Sequence, residues 1–218
     1  MKTASKVCAE TMGGGFAACR PESKKSCLLL FVRNENGKLR LVFDCRVPNR
    51  LFKAAPNIPM GTGAVWAHMK IPDNELLYMA TSDIYDYFYA CEIPGELSEF
   101  FVVETIDAKT FSTWCAVSGL PSAYIDSAHL GLCILPTGWT WAFYFAQMRH
   151  AASLSLCSFI ETDGVLEDVT ATPLLSKEAC VALPYCDNLG VGSLSASLCG
   201  DAQNDIINAE EAFLFSHT

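Results

Sequence analysis

The stretch "CVALPYCDNLGVG", residues 180–192, is the segment on which the reading of this chain turns. An apolar run precedes Tyr185 and a shorter one follows Asn188. Asp187 and Asn188 are themselves residues that favour turns, so the segment predicts a β-hairpin with this pair at its tip. Working outward, "ELLYMATSDI", residues 75–84, is a second apolar stretch that runs into a carboxylate. It follows the turn signal Pro72-Asp73-Asn74 and predicts a buried strand that delivers Asp83 to a sheet edge. Two aspartates on neighbouring strand ends thus become the candidate centre.

The segments around this centre suggest a mixed architecture. "WTWAFYFAQMRHAASL", residues 139–154, has the length and residue types of a largely buried helix and follows the punctuation of Pro136 and Gly138. Pro94 predicts the start of a short helix through Glu96 and Phe100, because proline suits the first turn and acids suit its dipole. Further upstream, "CLLLFVRNENGKLRLVFDCRV", residues 27–47, predicts a hairpin with its turn from Asn34 to Gly37. In that reading Arg40, Asp44 and Arg46 share one strand face. The Pro- and Gly-rich residues 48–63 read as a loop, and residues 1–26, which show no periodicity, as a mobile lead-in.

The 218 residues are 51% apolar and 18% charged, which excludes a disordered chain. Apolar runs such as Trp141 to Ala146 are far shorter than the roughly 20 residues that span a bilayer, so no membrane partner is expected. The N-terminus carries Lys2, Lys6, Glu10 and a Gly13 to Gly15 run rather than the apolar core of a secretory signal. The expected location is therefore intracellular, cytoplasmic or nuclear, and not secreted. Eleven cysteines are scattered from Cys8 to Cys199 with no two separated by only two residues, which fits free, mostly buried thiols better than a disulfide scaffold. The histidines are isolated. His129 and Cys133 would face alike on a helix, but two ligands do not make a zinc site, and all four histidines read as structural.

The net charge of −9 is unevenly spread. Residues 1–70 hold 12 of the 15 Lys and Arg against 4 acids, net +8, and residues 71–218 hold 3 bases against 20 acids, net −17. One reading is that these are solvated faces. The other is a division of labour, in which a basic segment neutralises phosphates and an acidic segment concentrates metal-binding carboxylates.

Four segments, in this order, resemble the motifs of reverse transcriptases, the RNA-directed DNA polymerases of retroelements. "KLRLVFDCRVPN", residues 38–49, resembles the fingers motif, with Arg40, Asp44, Arg46 and Asn49 at its recurring positions. "TSDIYDYFYACEIP", residues 81–94, resembles the first palm motif, which implies Asp83 as a metal ligand and Phe88 as the aromatic gate against the sugar. "LPTGWTWAFYFAQ", residues 135–147, resembles the Leu-Pro-x-Gly motif that lies under the incoming nucleotide, and so implicates Thr137 and Gly138. "PYCDNL" resembles the Tyr-x-Asp-Asp-Leu hairpin, with Asp187 as the second metal ligand and Asn188 where the family has an aspartate.

The resemblance covers roughly residues 28–192. It implies an α+β fold, a polymerase palm of antiparallel sheet and covering helices with an N-terminal fingers hairpin. Residues 27–70 would be fingers-like, 71–195 palm-like and 196–218 a truncated tail. With only about 30 residues after the hairpin, a thumb or nuclease domain would have to come from another chain. Asn188, and Thr137 in place of a common Gln, mark a truncated or degenerate copy.

The chemistry can be argued from the residues as well. Phosphoryl transfer relies on charge neutralisation, commonly by two divalent ions. Mg²⁺ or Mn²⁺ takes one or two carboxylates plus phosphate oxygens and waters, so Asp83 and Asp187 form a minimal pair. Arg40 would meet a triphosphate through its forked donors, and Asp44 and Arg46 read as a pair that holds the fold. Phe88 would select deoxynucleotides by steric conflict with a 2′-hydroxyl. The expected partners are then deoxynucleoside triphosphates and an RNA or DNA template-primer.

Plainer readings stand beside these. Asp83 and Asp86 would serve as turn caps, Phe88 as core, Arg40 as an exposed strand residue and Asp187-Asn188 as a turn dipeptide. At the level of function, the rivals to a polymerase are an inactive remnant that at most binds nucleic acid and an unrelated metal-dependent hydrolase.

Overall fold

The computed structural model describes residues 17–20, 27–33, 37, 39–107, 109, 127–168, 171 and 173–215. Residues 34–36 of the expected fingers turn lie outside them, as do Lys38 and most of the expected lead-in. In chain order the elements are β1 (Ala17–Arg20), β2 (Leu28–Arg33), β3 (Leu39–Asp44), α1 (Arg46–Asn49), a 3₁₀ turn (Gly63–His68), β4 (Tyr78–Asp83), α2 (Tyr87–Ala90), α3 (Gly95–Ser98) and β5 (Val102–Asp107). There follow β6 (Ser127–Leu132), α4 (Thr140–Leu154), β7 (Ile160–Val165), β8 (Cys180–Tyr185), β9 (Asn188–Ser193) and α5 (Ala196–Phe215). The fold is α+β. The chain forms two units, residues 1–54 with 88–142, and residues 55–87 with 143–218.

In the first unit, β2 and β3 pair antiparallel from Leu28↔Asp44 to Arg33↔Leu39, as the alternation of Leu39, Leu41 and Phe43 leads one to expect. Arg46 is not on that strand face, since it is the first residue of α1. A second sheet has the order β1-β6-β5. Its strand β1 lies inside the expected lead-in and is ordered by pairing, Ala17↔Leu132 to Arg20↔His129. Four residues without side-chain alternation carry no strand signal of their own and take their conformation from the free main chain of β6. His129 is likewise on a strand rather than the helix that would have aligned it with Cys133. Phe52, Phe101 and Trp139 form the aromatic centre of this unit, each pair of rings 5.2–6.1 Å apart.

In the second unit, the sheet has the order β4-β9-β8-β7, antiparallel except that β7 runs parallel to β8. The unbroken apolar run of β8 is explained by burial on both faces. Cys180 and Ala182 lie in a core with Leu154, Cys199, Ala202 and Ile206, while Val181 lies with Val65, Leu166, Leu175 and Leu194. α5, which the sequence presents as a tail, is the longest helix among the described residues and packs across β4, β9 and β8. Its buried residues Cys199, Ala202, Ile206 and Glu210 recur every three or four positions, the stripe that lets a helix bury one face. β4 is the edge of the sheet, and Tyr78, Met79, Thr81 and Asp83 are exposed, so it is not the buried strand its composition suggests.

Candidate active site

The β8–β9 hairpin has a two-residue tip, Cys186 and Asp187, closed by the pair Tyr185↔Asn188. Asn188 is thus the first residue of β9 rather than part of the turn. Cys186 has φ +52°, which two-residue hairpin loops require at one or both central positions and which is costly for a residue with a Cβ. On its other side Asn188 pairs with Asp83 at the end of β4, and the Ile84 N–H donates to the Asp187 carbonyl at 2.7 Å. Main-chain pairing alone therefore brings Asp83, Asp187 and Asn188 to the same end of one sheet. Asn188 Nδ2 donates to Asp187 Oδ1 at 3.0 Å. Asp83 and Asn188 are exposed and Asp187 is half-buried.

The strained tip is held from α4 by Gln147, the last residue of the Leu-Pro-x-Gly segment, and by His150, which the sequence reading took as structural. Gln147 Nε2 donates to the Pro184 carbonyl at 3.0 Å, and the Cys186 N–H donates to Gln147 Oε1 at 2.8 Å. One helix turn on, His150 Nδ1 lies 2.6 Å from the Cys186 carbonyl. A carbonyl can only accept, so Nδ1 carries the proton and Nε2 is left as a lone pair, buried and without a partner among the described residues. Burial is the main influence on His150 and holds it below the usual imidazole range, against the opposing effects of the Cys186 carbonyl and the Glu210 charge. Burial, and then the Asp187 charge, push the Cys186 thiol up to about 12, so it is a neutral packing group.

Beside His150 the same helix contributes Arg149 to an ion pair with Glu210 of α5 at 3.2 Å, the carboxylate buried and the guanidinium partly so. Arg149 also stacks over the Tyr87 ring at 5.2 Å, and the Ser153 hydroxyl sits against the Glu210 carboxylate. The signal that could have found Gln147 and His150 is their spacing: two polar residues three apart, one turn of a largely apolar helix, each fully or almost fully buried.

A groove of about 460 Å³ runs along the sheet toward the hairpin, lined by Thr62, Trp66, Ser82, Tyr185, Asn188 and Gly190, among others. The glycines of β9 make room for its floor. A Cβ at Gly190 or Gly192 would meet the Trp66 ring at 3.1 or 2.7 Å. Tyr185 is 44% exposed beside this groove, although it borders a buried strand.

The remaining site candidates belong to the first unit. Arg40 lies on β3 opposite Val32. Arg46 grips both oxygens of Asp44, Nε at 2.9 and 3.1 Å and Nη2 at 2.6 Å, and this fork holds the Asp44 carboxyl down to about 2. Thr137 and Gly138 form an exposed turn before α4. Asn49 holds that turn with both ends of its amide, donating to the Gly138 carbonyl and accepting from the Thr140 N–H, each at 3.0 Å. Gly138 has no space for a Cβ, which would run into the Phe43 carbonyl. Phe88 is half-buried on α2.

Asp83 and Asp187 offer hard oxygen donors. Among the described residues no group of three or more His, Cys, Asp or Glu side chains is placed to hold a metal. No helix among the described residues is long and apolar enough to cross a membrane.

No protein-family model matches the sequence, and no curated protein matches it. The structure is similar to that of the protease-reverse transcriptase of a foamy virus, determined in complex with double-stranded DNA. The similarity has a TM-score of 0.57 at 12% identity and covers 97% of this chain but 36% of that one, so this chain spans about a third of the viral protein's length. The two proteins share a fold, α+β and compatible with a polymerase palm.

Proposed function

We propose that the second unit carries the metal site of an RNA-directed DNA polymerase-like domain. The observation that supports this reading is the main-chain register that sets Asp83 opposite Asn188 and joins Ile84 to Asp187. Asp83 and Asp187 would hold Mg²⁺ or Mn²⁺, and such ions, when bound, neutralise charge on the phosphate oxygens and activate the attacking hydroxyl. Arg40 would bind the triphosphate of a deoxynucleotide, Phe88 would exclude a ribose, and Thr137 and Gly138 would lie beneath the nucleotide. The groove beside Tyr185 and Trp66 would take the end of a primer, through stacking that any base can satisfy. The double-stranded DNA held by the foamy virus protein supports a nucleic-acid duplex as the partner class.

A second reading is favoured by the bond from Asn188 to Asp187. It puts an amide where a third charge would strengthen metal binding and occupies an oxygen of the remaining ligand. On this reading the chain is an inactive retroelement remnant that binds nucleic acid through its basic first third. The deciding experiment is deoxynucleotide incorporation on an RNA template across a Mg²⁺ titration, with a thumb domain supplied in trans or by fusion. The polymerase reading expects extension that Asp83→Asn and Asp187→Asn abolish. Equal, measurable rates in the wild type and Asp187→Asn would overturn it. Duplex binding without extension, weakening steeply with salt as phosphate contacts release counterions, would support the remnant.

A further inference from the structure

Cys27 and Cys45 stand opposite each other at the base of the β2–β3 hairpin, one step beyond the pair Leu28↔Asp44. Their backbone groups are engaged elsewhere, the Cys27 N–H with the Val102 carbonyl at 2.6 Å and the Cys45 carbonyl with the Asn49 N–H at 2.8 Å. Cys45 leaves the strand as the residue before α1, with φ −93° and ψ 16°, and turns its side chain toward Cys27. The side chains already meet, Sγ to Sγ at 3.5 Å, and both residues are 1% exposed.

We propose that Cys27 and Cys45 are a modification site, a thiol pair that a peroxide oxidant converts to a disulfide locking the base of the β2–β3 hairpin. This inference does not depend on the polymerase reading. The hydrogen bond shared by the two sulfurs, in which either can donate, holds the Cys27 thiol below its ordinary range, while the same contact and burial hold Cys45 above it. In this proposal Cys27 attacks first. Its thiolate attacks one oxygen of hydrogen peroxide, the O–O bond breaks, and the departing hydroxide takes the thiol proton to become water, leaving a sulfenic acid. The Cys45 sulfur then attacks the Cys27 sulfur. The S–O bond breaks as the S–S bond forms, and hydroxide leaves with the Cys45 proton as a second water. Two thiols lose two electrons, and one peroxide becomes two waters.

The crosslink would act on more than two strands. Cys45 sits between the paired Asp44 and Arg46 and leads into α1, whose Asn49 holds the Gly138 turn. Oxidation would fix this path through the first unit, from hairpin to turn, in one conformation.

The test uses the reduced full-length chain, one equivalent of hydrogen peroxide, a quench with N-ethylmaleimide in denaturant, and peptide mass spectrometry. The expected product is a linked peptide pair carrying residues 27 and 45, two hydrogens lighter than its parts. It should form ahead of any linkage among Cys157, Cys180 and Cys199 and revert with dithiothreitol. Amide exchange in residues 28–33 and 39–44 should slow in the oxidised protein. In Cys45→Ser the Cys27 sulfenic acid should persist and be trapped by dimedone. Recovery of Cys27 and Cys45 as separate alkylated thiols or oxyacids, or joined to other cysteines, would overturn the proposal, and this wild-type result stands even if the variant fails to fold.

Discussion

Asn188 Nδ2 is bonded to Oδ1 of Asp187 at 3.0 Å, so the neutral member of the candidate site is tied to its half-buried carboxylate. Asn188→Asp removes that bond and adds a charge without changing the shape of the side chain. At water-like screening an added carboxylate about 4 Å from a divalent ion is worth on the order of 1–2 kcal/mol. The Mg²⁺ concentration for half-maximal binding should fall roughly tenfold, as read by calorimetric titration. An unchanged or higher Mg²⁺ requirement would count against Asp187 as a ligand.

Gln147 satisfies two main-chain groups of the hairpin. Gln147→Leu keeps most of the volume but leaves the Cys186 N–H and the Pro184 carbonyl without their partner. A buried group left unpaired costs about 1–3 kcal/mol, and denaturant melts should show a loss of this size.

His150 makes stability depend on pH. Its folded value is depressed, so the unfolded chain binds a proton near the ordinary histidine value of about 6.5 while the folded chain does not. Stability contributed by the neutral ring is complete above that value and is lost as pH falls below it toward the folded value. Thermal melts between pH 8 and pH 5 should show the decline, and His150→Gln should flatten it. An equal slope in both proteins would assign the effect to other groups.

Gly192 lies under the Trp66 ring, and Gly192→Ala places a methyl 2.7 Å from Cζ3. Overpacking of this kind costs about 1–3 kcal/mol. Combining it with Trp66→Leu should recover part of the loss, a coupling that a double-mutant cycle would measure.

Much of this architecture was legible because local chemistry and tertiary context agree. The two-sided burial of β8 matches its unbroken apolar run, and the hairpin after it follows from two short apolar segments flanking turn residues. The tip itself is displaced by one residue, with Cys186 rather than Asn188 in the turn. No local preference selects Cys for φ +52°. Gln147 and His150 impose it from α4, a tertiary effect that turn propensities do not contain. α5 was hidden for a similar reason. Its buried stripe is built from Cys199, Ala202, Ile206 and Glu210, so apolar contrast is weak and one member is a carboxylate paired with Arg149. β4 carries the composition of a core strand, and only the sheet order shows it to be an edge.

The register between β4 and β9 has a consequence for how such a site ages. Asp83 and Asn188 are set opposite each other by backbone bonds that any side chain would allow, and the tip beside them is fastened through main-chain atoms of Pro184 and Cys186. Chemistry and scaffold are thus inherited separately. An exchange between amide and carboxylate at position 188 would leave every main-chain hydrogen bond of the sheet in place. Such an exchange is one step away, because a single base substitution converts an asparagine codon to one for aspartate.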